Sequence, residues 1–368
     1  MKIILFLLAL VPFTASAQLF DLKVTDYGVN CSGGVAQQSF CNYIDTQIAA
    51  VEQDINKDLP SGQPTRLMKG MADSSVFAGK GIGTDYASNM DVMLIGAGVG
   101  AGADLHKDKT TNSDLSGAAV APGAIIGMNL SWMDAKRFMG MDTDRLNVYF
   151  NFMSYDLQKN MNNKPGEKSD VDLDMLSLGT HFRYDWIKGN GSKWLGWGGV
   201  KFTFGYEYNR NNITLHSQIT KNSSDFENTT GPGGETLNGT ISGRPVARIM
   251  TATHSIPLAL STDVQLVYFL SLYTGLGVDY NWGQARGKGD LNGSESPITC
   301  TGGACGGGQT IKVQPTANIN ATGRATSFTS RAFAGIQFNL PFIRIFVQAD
   351  KSLASEVVGA TAGVRLVY

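Results

Sequence analysis

Four histidines and four cysteines are the side chains of this sequence best suited to acid–base, nucleophilic or metal chemistry. His106, His181, His216 and His254 stand at wide intervals, and neither HExxH nor GxSxG organises them into a hydrolase signature. A catalytic pair assembled from distant residues remains an alternative, with His106 or His216 contributing. The plainer reading makes those two solvated loop residues and His181 a polar interior group. Gly96-Ala97-Gly98-Val99-Gly100-Ala101-Gly102 imitates a dinucleotide fingerprint, but no helical pattern follows and its apolar residues alternate as in a strand. The glycine-rich stretch Gly302 to Gly308 lacks the Lys-Ser/Thr ending of a phosphate loop and includes Cys305. The expectation is a protein that is not an enzyme and uses neither cofactor nor metal.

The cysteines fall as two close pairs, Cys31 with Cys41 and Cys300 with Cys305, each in a polar Gly/Ser-rich segment. One shared metal site is a poor fit, because no His lies nearby in sequence. Two loop-closing disulfides fit better, given that the chain is exported. Export follows from Met1-Lys2, the apolar run Ile3 to Phe13 and the small residues Ala15-Ser16-Ala17, which together form a signal peptide over residues 1–17.

After Gln18 there is no apolar stretch long enough to cross a bilayer as a helix, so a membrane form of this chain must be a closed barrel. The 44 glycines, 42% hydrophobic residues and net charge of -1 suit dispersed, alternating apolar residues and give no basic field for nucleic acid. From about residue 90 the alternation is explicit. Val358, Ala360, Ala362, Val364, Leu366 and Tyr368 share one face; so do Val264 through Trp282 at even positions, and Val200, Phe202, Phe204, Tyr206 and Tyr208.

Counting such segments predicts an all-β, antiparallel up-and-down transmembrane barrel of about ten strands, spanning residues 90–368, with a turn at 261–262 and an irregular strand or bulge near Pro257. The gaps at 105–118, 158–172, 211–245 and 283–324 read as long outer loops. The connection at 133–143 is longer than the opposite rim requires. Trp132, Trp186, Trp194, Trp197, Trp282 and Tyr368 fall at strand ends, where amphipathic rings would form the aromatic girdle of a membrane barrel. A secreted β-sandwich, the main rival, would bury its tryptophans mid-strand.

The inward positions are charged: Arg183, Lys201, Arg331, Arg344 and Arg365 among cations, Glu207, Asp279 and Asp350 among anions. They form either an electrostatic filter for solutes or a set of lumen salt bridges. Residues 18–89 differ from the rest. Phe40, Ile44, Ile48, Val51 and Ile55 recur at helical spacing, predicting an amphipathic helix over Gln38–Leu59 ended by Pro60. Phe20–Val29 and Ser75–Tyr86 could add two strands, making twelve. The bare strip Gly96, Gly98, Gly100 and Gly102 would admit a helix against the wall, so residues 30–70 are a candidate plug; a surface or periplasmic appendage is the alternative.

The ending Val364-Arg365-Leu366-Val367-Tyr368, aromatic at the last position and apolar at alternate ones, resembles the carboxy-terminal signal of Gram-negative outer-membrane barrel proteins. The whole of 90–368 resembles their porin-like members, apart from a final Tyr where Phe is commoner. The resemblance implies residence in the outer membrane, with lipid and lipopolysaccharide as neighbours and the barrel-assembly machinery as reader of the last strand. It also implies a channel passing small hydrophilic solutes. A non-conducting structural or adhesin-like barrel, binding through its outer loops, is the second expectation. The sequence leaves homo-oligomer formation open.

Overall fold

A strand with one face in hydrocarbon and the other in water cannot leave an edge unpaired, so alternating segments must close on one another. In the computed structural model they do. Residues 21–28, 31–32, 38–39, 41–46, 48–49, 64–87, 92–105 and most of 116–368 are described, with gaps at 134–135, 139, 165–166, 192–194, 218, 222–235, 240, 268, 294–295 and 302–308.

The wall consists of β1 (Met93–Asp104), β2 (Gly117–Asn129), β3 (Leu146–Lys164), β4 (Glu167–Gly191), β5 (Leu195–Ser217), β6 (Ile241–Leu266), β7 (Leu270–Gly293), β8 (Gln309–Arg324), β9 (Phe328–Asn339), β10 (Ile343–Ser352) and β11 (Val357–Val367). Neighbours pair antiparallel from β1 to β7, then through β9 and β10 to β11, which returns to β1 and closes the ring. β8 continues the line of β9 along the same edge of β7, facing Gln284–Asn292 while β9 faces Leu270–Tyr280. Among the described residues the ring closes through ten successive pairings, with β8 as an eleventh strand in line with β9. The twelve-stranded alternative fails: Ser75–Ala78 is helical, and Asp21–Asp26 is a strand, but it pairs with β8 outside the ring.

One rim holds both ends of the barrel sequence, since Met93 and Tyr368 exchange backbone hydrogen bonds of 3.0 Å each way. At the far end the connections after β3 and β10 are short, and at this near end so are those after β6 and β9. The 133–143 connection lies here too, folded into a small hairpin pairing Arg137–Phe138 with Met141–Asp142. The turn expected at 261–262 is instead at 267–269, where Val267 has φ 48°, so β6 runs on to Leu266. Its three-residue length keeps even positions outward on both strands, which hides it from a parity argument. Pro257 causes no register shift; the irregularity in β6 lies between Thr262 and Val264.

Strands β3 to β7 have 19 to 26 residues, about twice the 9–11 needed to cross a bilayer. The gaps read as loops at 158–172 and in much of 283–324 are thus strand, and the reason is visible in the side chains. On β4, Leu176, Leu178 and Phe182 point outward and Ser177, His181 and Arg183 are buried inward; beyond Leu176, Asp170, Asp172 and Asp174 point outward while Val171, Leu173 and Met175 are buried. β7 switches at Trp282: Leu276, Val278 and Tyr280 lie outward below it, Arg286 and Lys288 above. Polarity inverts because the outer medium changes from lipid to water. Register places Leu178, Tyr208, His254 and Trp282 in one row, marking that boundary.

From Leu270 to Trp282, at about 3.4 Å per residue and a tilt of 35–45°, the belt is roughly 30 Å tall, a bilayer's hydrocarbon thickness. Trp132, Trp186, Trp197 and Tyr368 are exposed around the near rim, and Trp282 stands within β7 at the far edge of the apolar belt. Trp194 lies outside the described residues. Leu276 sits midway and is 62% exposed. Leu276→Arg is expected to cost about 2–4 kcal/mol in urea unfolding from lipid vesicles, the penalty for a cation at the midplane.

At the far end the amino-terminal strand runs along β8 from Asp21 opposite Thr316 to Asp26 opposite Lys312. A Cys31–Cys41 disulfide follows. Cys305 of the other expected bridge is outside the described residues. Residues 41–46 are helical as expected, with Ile44 and Ile48 buried; Phe40, Val51 and Ile55 of that face are not described. Tyr27 donates a 2.6 Å hydrogen bond to Asp45, which pushes its phenol up to about 12.

Candidate functional site

The lumen is occupied by the chain itself. Pro64 opens a helix, α1 (Pro64–Ala78), at the position where a missing N–H costs least, and Gly79 and Gly81 end it, Gly81 with φ 82°. Residues 67–87 are buried almost without interruption. Among the described residues the plug is 64–87, which overlaps the expected 30–70 in its first turns and continues beyond it. The glycine strip does what its bareness suggested. A Cβ on Gly100 would collide with the Ala78 carbonyl oxygen, and one on Gly102 with that of Ser74.

Beyond the membrane boundary α1 is held by apolar packing. Leu67, Met68, Met71, Ala72, Val76 and Phe77 cluster with Ile249, Ala285, Ala321 and Val357, the inward face that became apolar where the outer one became wet. At its entrance Arg66 pairs with Asp104 at 3.0 Å, and Asp73 accepts from the Thr326 backbone N–H at 2.6 Å.

Within the membrane the grip is ionic. Lys80 Nζ lies 2.7 Å from Glu207 Oε2 and 3.5 Å from Asp279, and donates to Ser255 at 2.8 Å. Arg331 bridges Asp279 at 3.1 Å and Asp350 at 2.7 Å, and its guanidinium covers the Phe333 ring. Nearer the terminal rim Asp85 takes Arg344 at 3.1 Å and Arg365 at 3.4 Å. Arg365 also donates to the Thr84 carbonyl at 2.7 Å, Arg183 to the Asp85 carbonyl, and Lys201 to the Tyr86 carbonyl at 3.1 Å while pairing with Asp263 at 2.5 Å.

All eight inward charges singled out in the sequence thus lie together, and each is engaged with the plug or with a partner. Sequence reading missed the two that organise them, Lys80 and Asp85. Their arrangement follows charge. Toward the near end the wall offers Arg183, Lys201, Arg344 and Arg365 against Asp185 and Asp263; toward the far end it offers Glu207, Asp279 and Asp350 against Arg331. Asp85 enters the cationic half and Lys80 the anionic half. Arg344 and Arg365 oppose each other directly across β10 and β11, a repulsive placement that Asp85 neutralises. His181 lies 3.6 Å from Glu207, His216 3.8 Å from Asp172 outside the wall, and His254 points outward; His106 is not described.

A closed antiparallel ring with an apolar outer belt and a charged lumen defines an outer-membrane β-barrel, here one filled by its own amino-terminal segment. Residues 20–368 match the Lsa36-like family, and the chain belongs to it. No curated protein matches it. Among solved structures it is similar to the translocator domain of the autotransporter NalP from Neisseria meningitidis, at 11% identity over 77% of this chain and 91% of that one, with a TM-score of 0.30. The toluene transporters TodX of Pseudomonas putida and TbuX of Ralstonia pickettii are each 8% identical over 82% of this chain and 97% and 99% of theirs, with TM-scores of 0.24 and 0.23. Scores this low carry no inference about activity; the class rests on the ring and its belt.

Proposed function

We propose that this is a resting-closed barrel whose lumen serves to carry the amino-terminal segment across the membrane. That segment, with the extended wall of β3 to β8, is then presented at the far, outward end as a surface-recognition platform without catalytic activity. The observation that carries the reading is the pairing of Lys80 and Asp85 with opposite wall charges at the two levels of the lumen. The charges that would form a solute filter in an open porin are engaged with the plug or with one another. Asp21–Asp26 at the far end and Met93 at the near end support the threading between them.

Porin-like passage of small hydrophilic solutes is the second reading, and one feature favours it: inside the membrane the plug is held by ion pairs, for which a charged ligand entering the lumen can compete. Single-channel recording of the refolded full chain in planar bilayers separates the two. Silence in low and high salt, with steady conductance once residues 64–87 are deleted, supports the closed barrel. Steady conductance of the intact chain overturns it in favour of the porin.

A further inference from the structure

On the outer surface, just beyond the boundary row, four cations stand together on neighbouring strands: Arg248 on β6, Arg286 and Lys288 on β7, and Arg324 on β8. All four are exposed. Arg248 directly opposes Lys288, Met250 opposes Arg286, and Gln284 opposes Arg324, so the four share one face within a few residues of each other. None of them is in an ion pair among the described residues; Arg286 lies against the neutral amide of Gln284. The contrast with the rest of the barrel is informative. Inside, the opposed pair Arg344 and Arg365 is neutralised by Asp85, and outside on β5, Arg210 at the same level pairs with Asp174 at 3.1 Å. The opposition of Arg248 and Lys288 has no carboxylate answering it, although directly facing like charges destabilise a sheet. Asp290, the next outward residue on β7, lies farther from the membrane, opposite Val246.

The level of the patch identifies what would answer it. Immediately below, His254 stacks on Trp282 with ring centroids 5.0 Å apart and planes 2° from parallel, Tyr208 lies 4.8 Å from the same imidazole, and the Tyr206 hydroxyl is 2.7 Å from His254 Nδ1. Below those rings are Ile256, Leu258, Leu276 and Val278, all exposed on the lipid face. Amphipathic rings mark head-group depth, and the cations begin at the next outward position and end within roughly 15 Å of it. We infer that Arg248, Arg286, Lys288 and Arg324 form a binding site for the phosphate groups of an anionic lipid of the outer leaflet. The lipid's acyl chains would lie along β6 and β7 below the aromatic row. A net charge of -1 for the whole chain gives no sign of this local patch. The inference rests on the barrel being in a membrane with its far end outward, as proposed above, and it does not depend on whether the lumen is closed.

The test uses the refolded full chain in neutral-detergent micelles, titrated with bisphosphorylated lipid A, with its dephosphorylated form, and with inositol hexakisphosphate, which has phosphates but no acyl chains. Heat-modifiable electrophoretic mobility verifies folding of each variant. The triple variant Arg248→Gln, Arg286→Gln, Lys288→Gln should lose on the order of 100-fold in lipid affinity, and Lys288→Gln alone about fivefold, from roughly 1 kcal/mol per cation near an anionic surface. Arg210→Gln should bind as the parent does, and the difference between parent and triple variant should shrink at high salt. Equal binding by parent and triple variant, or by phosphorylated and dephosphorylated lipid, would overturn the site. Inositol hexakisphosphate binding as tightly as lipid A would overturn the lipid assignment and make the patch a receptor for soluble polyanions. Conductance plays no part in the readout, so either failure leaves the closed-barrel reading to its own test.

Discussion

Asp85→Ala is expected to destabilise the folded barrel by about 3–5 kcal/mol, the cost of stripping one partner from a buried ion cluster. Asp85 is fully buried and takes both Arg344 and Arg365. Without it those guanidiniums face each other across β10 and β11, with Arg183 also close to the plug backbone. Arg365 is buried and Arg344 nearly so, beside residues 81–87, which are themselves buried, so bulk solvent reaches the pair poorly. The wall itself is intact in the variant, so the relief available to it is release of the plug's near end. Urea unfolding in micelles should show the loss, and bilayer recordings should show openings absent from the parent. Asp85→Asn, which keeps the shape and removes the charge, should fall between the two. A variant as stable and as silent as the parent would mean that Asp85 does not anchor the plug.

The second large effect is one of sign. Glycine is a poor strand residue, so in an empty barrel Gly102→Val should stabilise β1 through its better strand propensity. With α1 against the wall, the new Cβ meets the Ser74 carbonyl oxygen, which is backbone and cannot turn away. The substitution is therefore expected to destabilise by about 1–3 kcal/mol, the usual range for overpacking. Gly100→Ala should do likewise against Ala78. Combining Gly102→Val with deletion of 64–87 should reverse the sign, which no explanation local to β1 predicts.

The ring was legible in the sequence because lipid imposes a strict period on one face. Wherever the wall is in the membrane, from Leu176 to Trp186 or Leu276 to Trp282, the even positions announce themselves. The same strands became illegible above Trp282 and before Leu173, where the outward face is polar and the apolar positions change parity, as at Val171 and Ala285. Those stretches read as loops. The lumen residues were legible individually as charges facing inward, but their role depended on partners contributed by another segment. Lys80 and Asp85 belong to a stretch whose serines, glycines and tyrosine carry no clean period, because its environment is a charged lumen on all sides. The signals that mark the plug are the stops: Pro64 at one end of α1, and Gly79 and Gly81 at the other.

The position of residues 64–87 inside the barrel is tested most directly by a cross-link between plug and wall. Ser75 Oγ on α1 and Thr253 Oγ1 on β6 are 3.1 Å apart and both buried. The pair Ser75→Cys and Thr253→Cys should oxidise to a disulfide in the folded barrel, joining the two tryptic peptides in mass spectrometry. Both thiols remaining reduced and reactive toward a small alkylating reagent in a heat-modifiable, folded barrel would contradict it.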